Sequence, residues 1–107
     1  MKLIPLNELP LAVISRFSSQ AAASTLLAES DAGARVHVIR FEAGGLIDRH
    51  PTGFRQLFFA LEGEGWVSGE DGERQPLHQG FAAEFALGEM HAKGSDLGMT
   101  ALMIQLS

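Results

Sequence analysis

The chain has no cysteine, so neither a disulfide framework nor a thiolate metal site is open to it. Positive charge is thin as well: 8 lysines and arginines are scattered along a chain of net charge −5. A phosphate-backbone partner wants a basic stripe, so nucleic acid is excluded as a partner. Long apolar runs are missing. Pro5, Asn7, Glu8 and Pro10 interrupt the start Met1-Lys2-Leu3-Ile4 before a secretory core can form. No stretch approaches the roughly 20 apolar residues of a membrane span. A cytoplasmic protein with no membrane partner is the expectation. Gly63-x-Gly65 lacks the third glycine and the following helix of a dinucleotide site, and there is no P-loop, Gly-x-Ser-x-Gly elbow or His-Glu-x-x-His helix.

What is present points to one small all-β domain. A second core within 107 residues would leave each half too small to bury enough apolar surface. Short apolar runs punctuated by some of the 12 glycines recur at roughly ten-residue spacing, the pattern of a sandwich or barrel. Arg35 to Phe41 is rich in β-branched residues and is expected to end at Gly44-Gly45. Further strands are expected over Gln56–Leu61, Gly65–Ser68, Glu73–His78 after the Asp71-Gly72 turn, Phe81–Ala86 and Met99–Leu106. Ser19 to Glu29 is Ala-rich, yet no apolar face recurs at helical spacing, and it reads as an N-terminal strand. Loops this short fit antiparallel neighbours and leave no room for parallel crossovers. The expected fold is a small antiparallel β-barrel.

One run carries an implication about assembly. Leu57, Phe59 and Leu61 alternate with Phe58 and Ala60, so this strand is apolar on both faces. A barrel wall has one inward face, and something must cover the other. With Leu3, Ile4, Leu6 and Leu9 adding apolar surface, a homodimer is the expectation.

The chemistry gathers around His50. His50, Thr52 and Gln56 share one parity, but six extended residues at about 3.3 Å each would separate His50 from Gln56 by roughly 20 Å. They converge only if the chain folds back, and Pro51 and Gly53 supply the break. The spacing resembles the first cupin motif: Gly44, His50, Thr52 at the second histidine position, Gln56 at the glutamate position, and Gly63. A second motif resembles Gly80, Ala86, Gly88, His91 and Ser95, with Ala86 in place of the usual proline and Ser95 in place of asparagine. The resemblance runs from Arg35 to Gln105 and implies a double-stranded β-helix over 35–107. Residues 1–34 would then be a segment packing on the barrel or on a partner subunit.

The resemblance also implies a ligand pocket of His50, Thr52, Gln56 and His91. A divalent transition metal (Mn, Fe, Ni, Cu or Zn) would be held there by His50, Gln56 and His91. A neutral ligand set leaves the ion's charge uncompensated, so it would be held weakly. Restoring a carboxylate with Gln56→Glu should strengthen metal binding and destabilise the metal-free protein. Two functions stay open: a small-molecule binding module, or a metal-dependent enzyme of dioxygenase or isomerase type. Of the other candidates, His37 reads as a satisfied structural histidine and His78 as exposed. Lys93, before Gly94-Ser95-Asp96, reads as an exposed turn lysine, and Trp66 as core. Glu62 and Glu64 read as solvated charges, and Glu84 as lying outside the pocket.

Overall fold

One strand organises the others. In the computed structural model, which describes Ile4 and residues 8–106, β3 (Arg35–Pro51) is flanked by β1 (Ala12–Val13) and β2 (Gln20–Glu29) before it. After it come β4 (Arg55–Gly63), β5 (Gly65–Ser68), β6 (Arg74–Leu77), β7 (Ala82–Phe85), β8 (Met90–Ser95) and β9 (Met99–Leu106). The first half of β3 pairs with β2 and β9, the second half with β8. The sheet path is β6-β5-β8-β3-β9-β4-β7, every pairing is antiparallel, and the sheet curls into a nearly closed barrel. No α-helix occurs among the described residues, and none is long and apolar enough to cross a membrane.

The expected strand over Ser19–Glu29 is β2, so the N-terminal segment contributes a strand to the sheet itself. Two other expectations need correction. Gly44-Gly45 does not end a strand: β3 runs on to Pro51. Gly44 takes φ +80°, and a Cβ on Gly45 would collide with the Ala21 carbonyl oxygen, so the pair bends the strand across its neighbour. Likewise Gly94-Ser95 is no turn. Both lie in β8, which is paired on one side with β3 and on the other with β5. Lys93 therefore faces inward and is only 2% exposed.

Inward-facing residues change character along each wall strand. β3 presents Phe41, then Ile39, then His37; β9 presents Met99, Ala101, Met103 and Gln105; β4 presents Ala60, Phe58 and Gln56. The apolar members, with Phe85 and Leu77, pack into one core that closes this end of the barrel. The opposite end is left lined with polar side chains. On the outer face of the same strands, Leu57 pairs with Ile104 and Phe59 with Leu102, all half-buried, while Leu61 is 37% exposed. Ile4 and Leu9 are described, but Leu3 and Leu6 lie outside the described residues.

Two tests follow from this packing. A Cβ on Gly94 would stand 2.5 Å from the Gly45 carbonyl oxygen and 2.7 Å from the Trp66 ring. Gly94→Ala should therefore lower stability by about 1–3 kcal/mol through overpacking, and an unchanged melting temperature would rule out this close approach. If the outer wall of Leu57, Phe59 and Leu61 meets a second copy, light scattering at micromolar concentration should give twice the 11.5 kDa chain mass. A mass of one chain would mean that the wall is left to solvent or covered from within.

Candidate functional site

The polar end of the barrel holds a cavity of about 510 Å³. His50 and Gln56 both reach it, as the Pro51–Gly53 break requires, and His91 and Lys93 enter from β8. His37 lines it too, so three of the four histidines meet here. His37 shares its inward face with Ile39 and Phe41, a parity legible in the sequence, but at the polar end that face belongs to the cavity.

His50 and His91 are direct cross-strand partners, with ring centroids 4.6 Å apart and Nε2 atoms at 3.2 Å. The His50 Nδ1–H donates to the Asp48 carbonyl at 2.7 Å, which leaves Nε2 of His50 as a bare lone pair. The His91 Nε2–H then donates to it, and Nδ1 of His91 is left buried without a partner among the described residues. Both rings are held neutral. Burial, followed by the charges of Lys93 and His50, pushes His91 down to about 3. Burial first, and Lys93 and Arg16 less, lower His50 against the opposing pull of the Asp48 carbonyl.

Lys93 is the unusual member. Its Nζ donates to Oε1 of Gln56 and lies 3.8 Å from Sδ of Met103. The same nitrogen stands 4.7 Å from the ring centre of Phe58 and 5.9 Å from that of Phe85. An amide oxygen, a thioether and two ring faces are its surroundings, and no carboxylate is among them. Burial alone pushes the amine down to about 7.

The donors do not fit a divalent metal ion. The histidine pair has suitable spacing, but the oxygen of Gln56 is already taken by a cationic side chain. A histidine that ligates a metal normally donates its second ring N–H, and Nδ1 of His91 has nothing to donate to. No cluster of three or more His, Asp or Glu that could hold an ion occurs among the described residues. Thr52 lies outside the cavity lining: its hydroxyl donates to the Glu89 carbonyl at 2.7 Å, and its backbone ties the same turn to Gly88 and Glu89.

The N-terminal segment closes over this end. The Phe17 ring stacks on His50 at 3.7 Å, and its carbonyl accepts from the Asp48 N–H. Phe17 and Ser18 hold φ of 58° and 49°, a left-handed pair that non-glycine residues adopt only when their surroundings enforce it. Ile14 and Arg16 join the lining through this fold-over, and no local signal marked either of them. The remaining candidates lie elsewhere. His78 is exposed beside Glu64, and Glu84 pairs with Arg55 at the surface. Glu62 is exposed. Trp66 is buried under the guanidinium of Arg74.

No family model and no curated protein matches the chain. Solved structures do. The polyketide cyclase RemF from Streptomyces resistomycificus superposes with a TM-score of 0.84 at 16% identity, over 98% of this chain and 78% of its own. A cupin superfamily protein from Desulfitobacterium hafniense gives 0.76 at 21% identity, over 98% and 90%. An RmlC-like cupin from Shewanella frigidimarina gives 0.77 at 16% identity, over 92% and 84%. The chain has the cupin fold, as its two motifs implied.

The surroundings of Lys93 make a measurable claim. The chain has only one other lysine, Lys2, so lysine-labelled NMR can follow each directly. The Lys93 side chain should titrate near 7, and Gln56→Glu should raise that value by placing a carboxylate on the amine. This reverses the expected penalty for a carboxylate at position 56, because the cation that it lacks in the sequence is Lys93. The depressed amine also has a signed effect on stability. An unfolded lysine titrates near 10.4, so the burial penalty is full below about pH 7 and is relieved as pH rises toward 10. Each pKa unit is worth about 1.4 kcal/mol. Lys93→Leu should therefore stabilise the protein at pH 6 and flatten its stability profile between pH 7 and 10. A parent profile already flat there would mean that Lys93 reaches water.

Proposed function

We propose that this barrel is a small-molecule binding protein whose ligand is a small organic anion with an apolar body. The observation that carries this reading is the sign of the cavity. The chain holds 13 acidic residues, yet none lines the cavity, whereas Arg16, Lys93 and three histidines do. A net-negative chain has gathered two basic side chains, Arg16 and Lys93, at a cavity without a carboxylate, where fields act through low dielectric. Ile39, Ile47, Phe54 and Met103 offer the rest of the ligand an apolar wall. The volume suits a compact molecule, within the roughly 300–1,000 Å³ of known ligand sites.

Benzoate and benzamide separate charge from shape, since they differ chiefly in whether the head group is an anion. Calorimetry or saturation-transfer NMR at pH 6.5 should show benzoate bound at least about tenfold more tightly, a difference of about 1.4 kcal/mol. Benzoate binding should weaken as pH rises through 7 and the amine of Lys93 loses its proton. Equal binding of the two compounds would sink the reading.

A second reading, an isomerase working by proton transfer, is favoured by the neutral imidazole pair. Nε2 of His50, once a substrate displaces the His91 N–H that it accepts, can take a proton from an acidic C–H, and the anion so formed would lie within the field of Lys93. Accelerated keto–enol exchange of phenylpyruvate, lost in His50→Ala, would support it. An exchange rate no faster than in buffer would leave binding alone.

A further inference from the structure

The disagreement between the motif and the donors has a consequence of its own. His50 and His91 aim Nε2 atoms 3.2 Å apart, a spacing at which two imidazoles can share one ion. Gln56 contributes an oxygen from β4, which pairs with neither β3 nor β8, and that oxygen carries Nζ of Lys93. The amine is wholly enclosed, on β8 two residues from His91 and on the same face, so its position is set by the strand and not by a free side chain. A mobile surface lysine would move aside for an ion at little cost, whereas this one would have to leave a buried, hydrogen-bonded position. Phe58, Phe85 and Met103 surround it.

We propose that Lys93 is a built-in cation that takes the place of a divalent metal among His50, Gln56 and His91, keeping the site free of metal. The charge it delivers differs from that of a metal in two ways. It is single, and it is tethered to the chain, so the site needs no loading and cannot be emptied by a chelator. A divalent ion entering the site would meet a like charge in a poorly screened interior and would have to strip the Gln56 oxygen from its donor. Removing the lysine should free the Gln56 oxygen and take away the like charge, leaving an ion to compete only with the bond between the two imidazoles. His50, Gln56 and His91 line the same cavity, but the claim concerns the ligand-free site and so holds whether the ligand is an anion or not.

Cobalt(II) is the probe, because its visible absorption reports coordination directly. At pH 6.5 the parent protein should take up no more cobalt than the His50→Ala, His91→Ala double variant. Lys93→Leu, which replaces the amine by an apolar chain of similar bulk, should bind cobalt at least about tenfold more tightly than the parent. Adding His91→Ala to Lys93→Leu should abolish that gain. Circular dichroism and thermal melting establish that each variant is folded. A second measurement needs no variant: cobalt added to lysine-labelled parent protein should leave the Lys93 side-chain signal unbroadened. Parent protein that binds cobalt through His50 and His91, with broadening of that signal, would overturn the proposal. So would a folded Lys93→Leu that gains no histidine-dependent cobalt, since the donors would then not form a latent metal site.

Discussion

The amine of Lys93 resting on the amide oxygen of Gln56 constrains nearly everything else at the polar end of the barrel. A cation placed there needs compensation, and the partners offered are an amide oxygen, two aromatic faces and a thioether, none of them charged. Each gives partial relief, and none neutralises. Burial, reinforced by this uncompensated charge, keeps His91 and His50 unprotonated, which fixes their proton pattern and joins them edge to edge. Glutamine instead of glutamate at position 56 matters for the same reason. A carboxylate there would cancel the charge internally, whereas the amide orients the amine and leaves its field available to whatever enters.

Most strands were legible because β-branched runs and turn glycines coincide with them, and Met99–Leu106 is matched to the residue. The failures share one cause. Gly45 and Gly94 look like turn glycines locally, yet they sit on adjacent strands where the carbonyl of one occupies the space of a Cβ on the other. Whether a glycine serves a turn or a close approach is decided by the neighbouring strand, which the local sequence does not contain. Misreading Gly94 as a turn also put Lys93 on the surface, although its shared parity with His91 was visible. The buried Ser95 continues that parity, donating to the Glu64 carbonyl and accepting from the Gly98 N–H. His50, Gln56 and His91 were legible through motif spacing. Thr52 shared that spacing but was drawn into the turn by the Glu89 carbonyl.

Arg16 and Phe17 illustrate a different limit. Nothing about Ser15-Arg16-Phe17-Ser18 marks it as part of a site, because its conformation is imposed from outside. Two consecutive left-handed non-glycine residues are costly, about 1–3 kcal/mol each where the region is sparsely populated. They persist because the Asp48 N–H holds the Phe17 carbonyl and the His50 ring receives the Phe17 face. The strain thus sits where the segment covers the cavity, and it brings the exposed Arg16, its guanidinium over the Phe17 ring, into the lining shared with the buried Lys93.

The outer apolar wall and the polar cavity are built by the same strands, one residue out of phase. Leu57 alternates with Gln56, Ile104 with Gln105 and Val36 with His37. Slipping β4 or β9 by one residue would turn the cavity inside out, sending its amides to the surface and filling the barrel with aliphatic side chains. Hydrophobic patterning alone would favour that slip at this end, because the apolar residues are the outward ones. The register must therefore be held from the far end, where Phe58, Ala60, Phe41 and Ala101 interlock in a core with no alternative partner. On this view the core does more than stabilise the barrel. It forces the polar stripe inward against its own solvation preference, and an interior polar stripe fixed in this way is what allows a lysine without a counter-charge to remain buried.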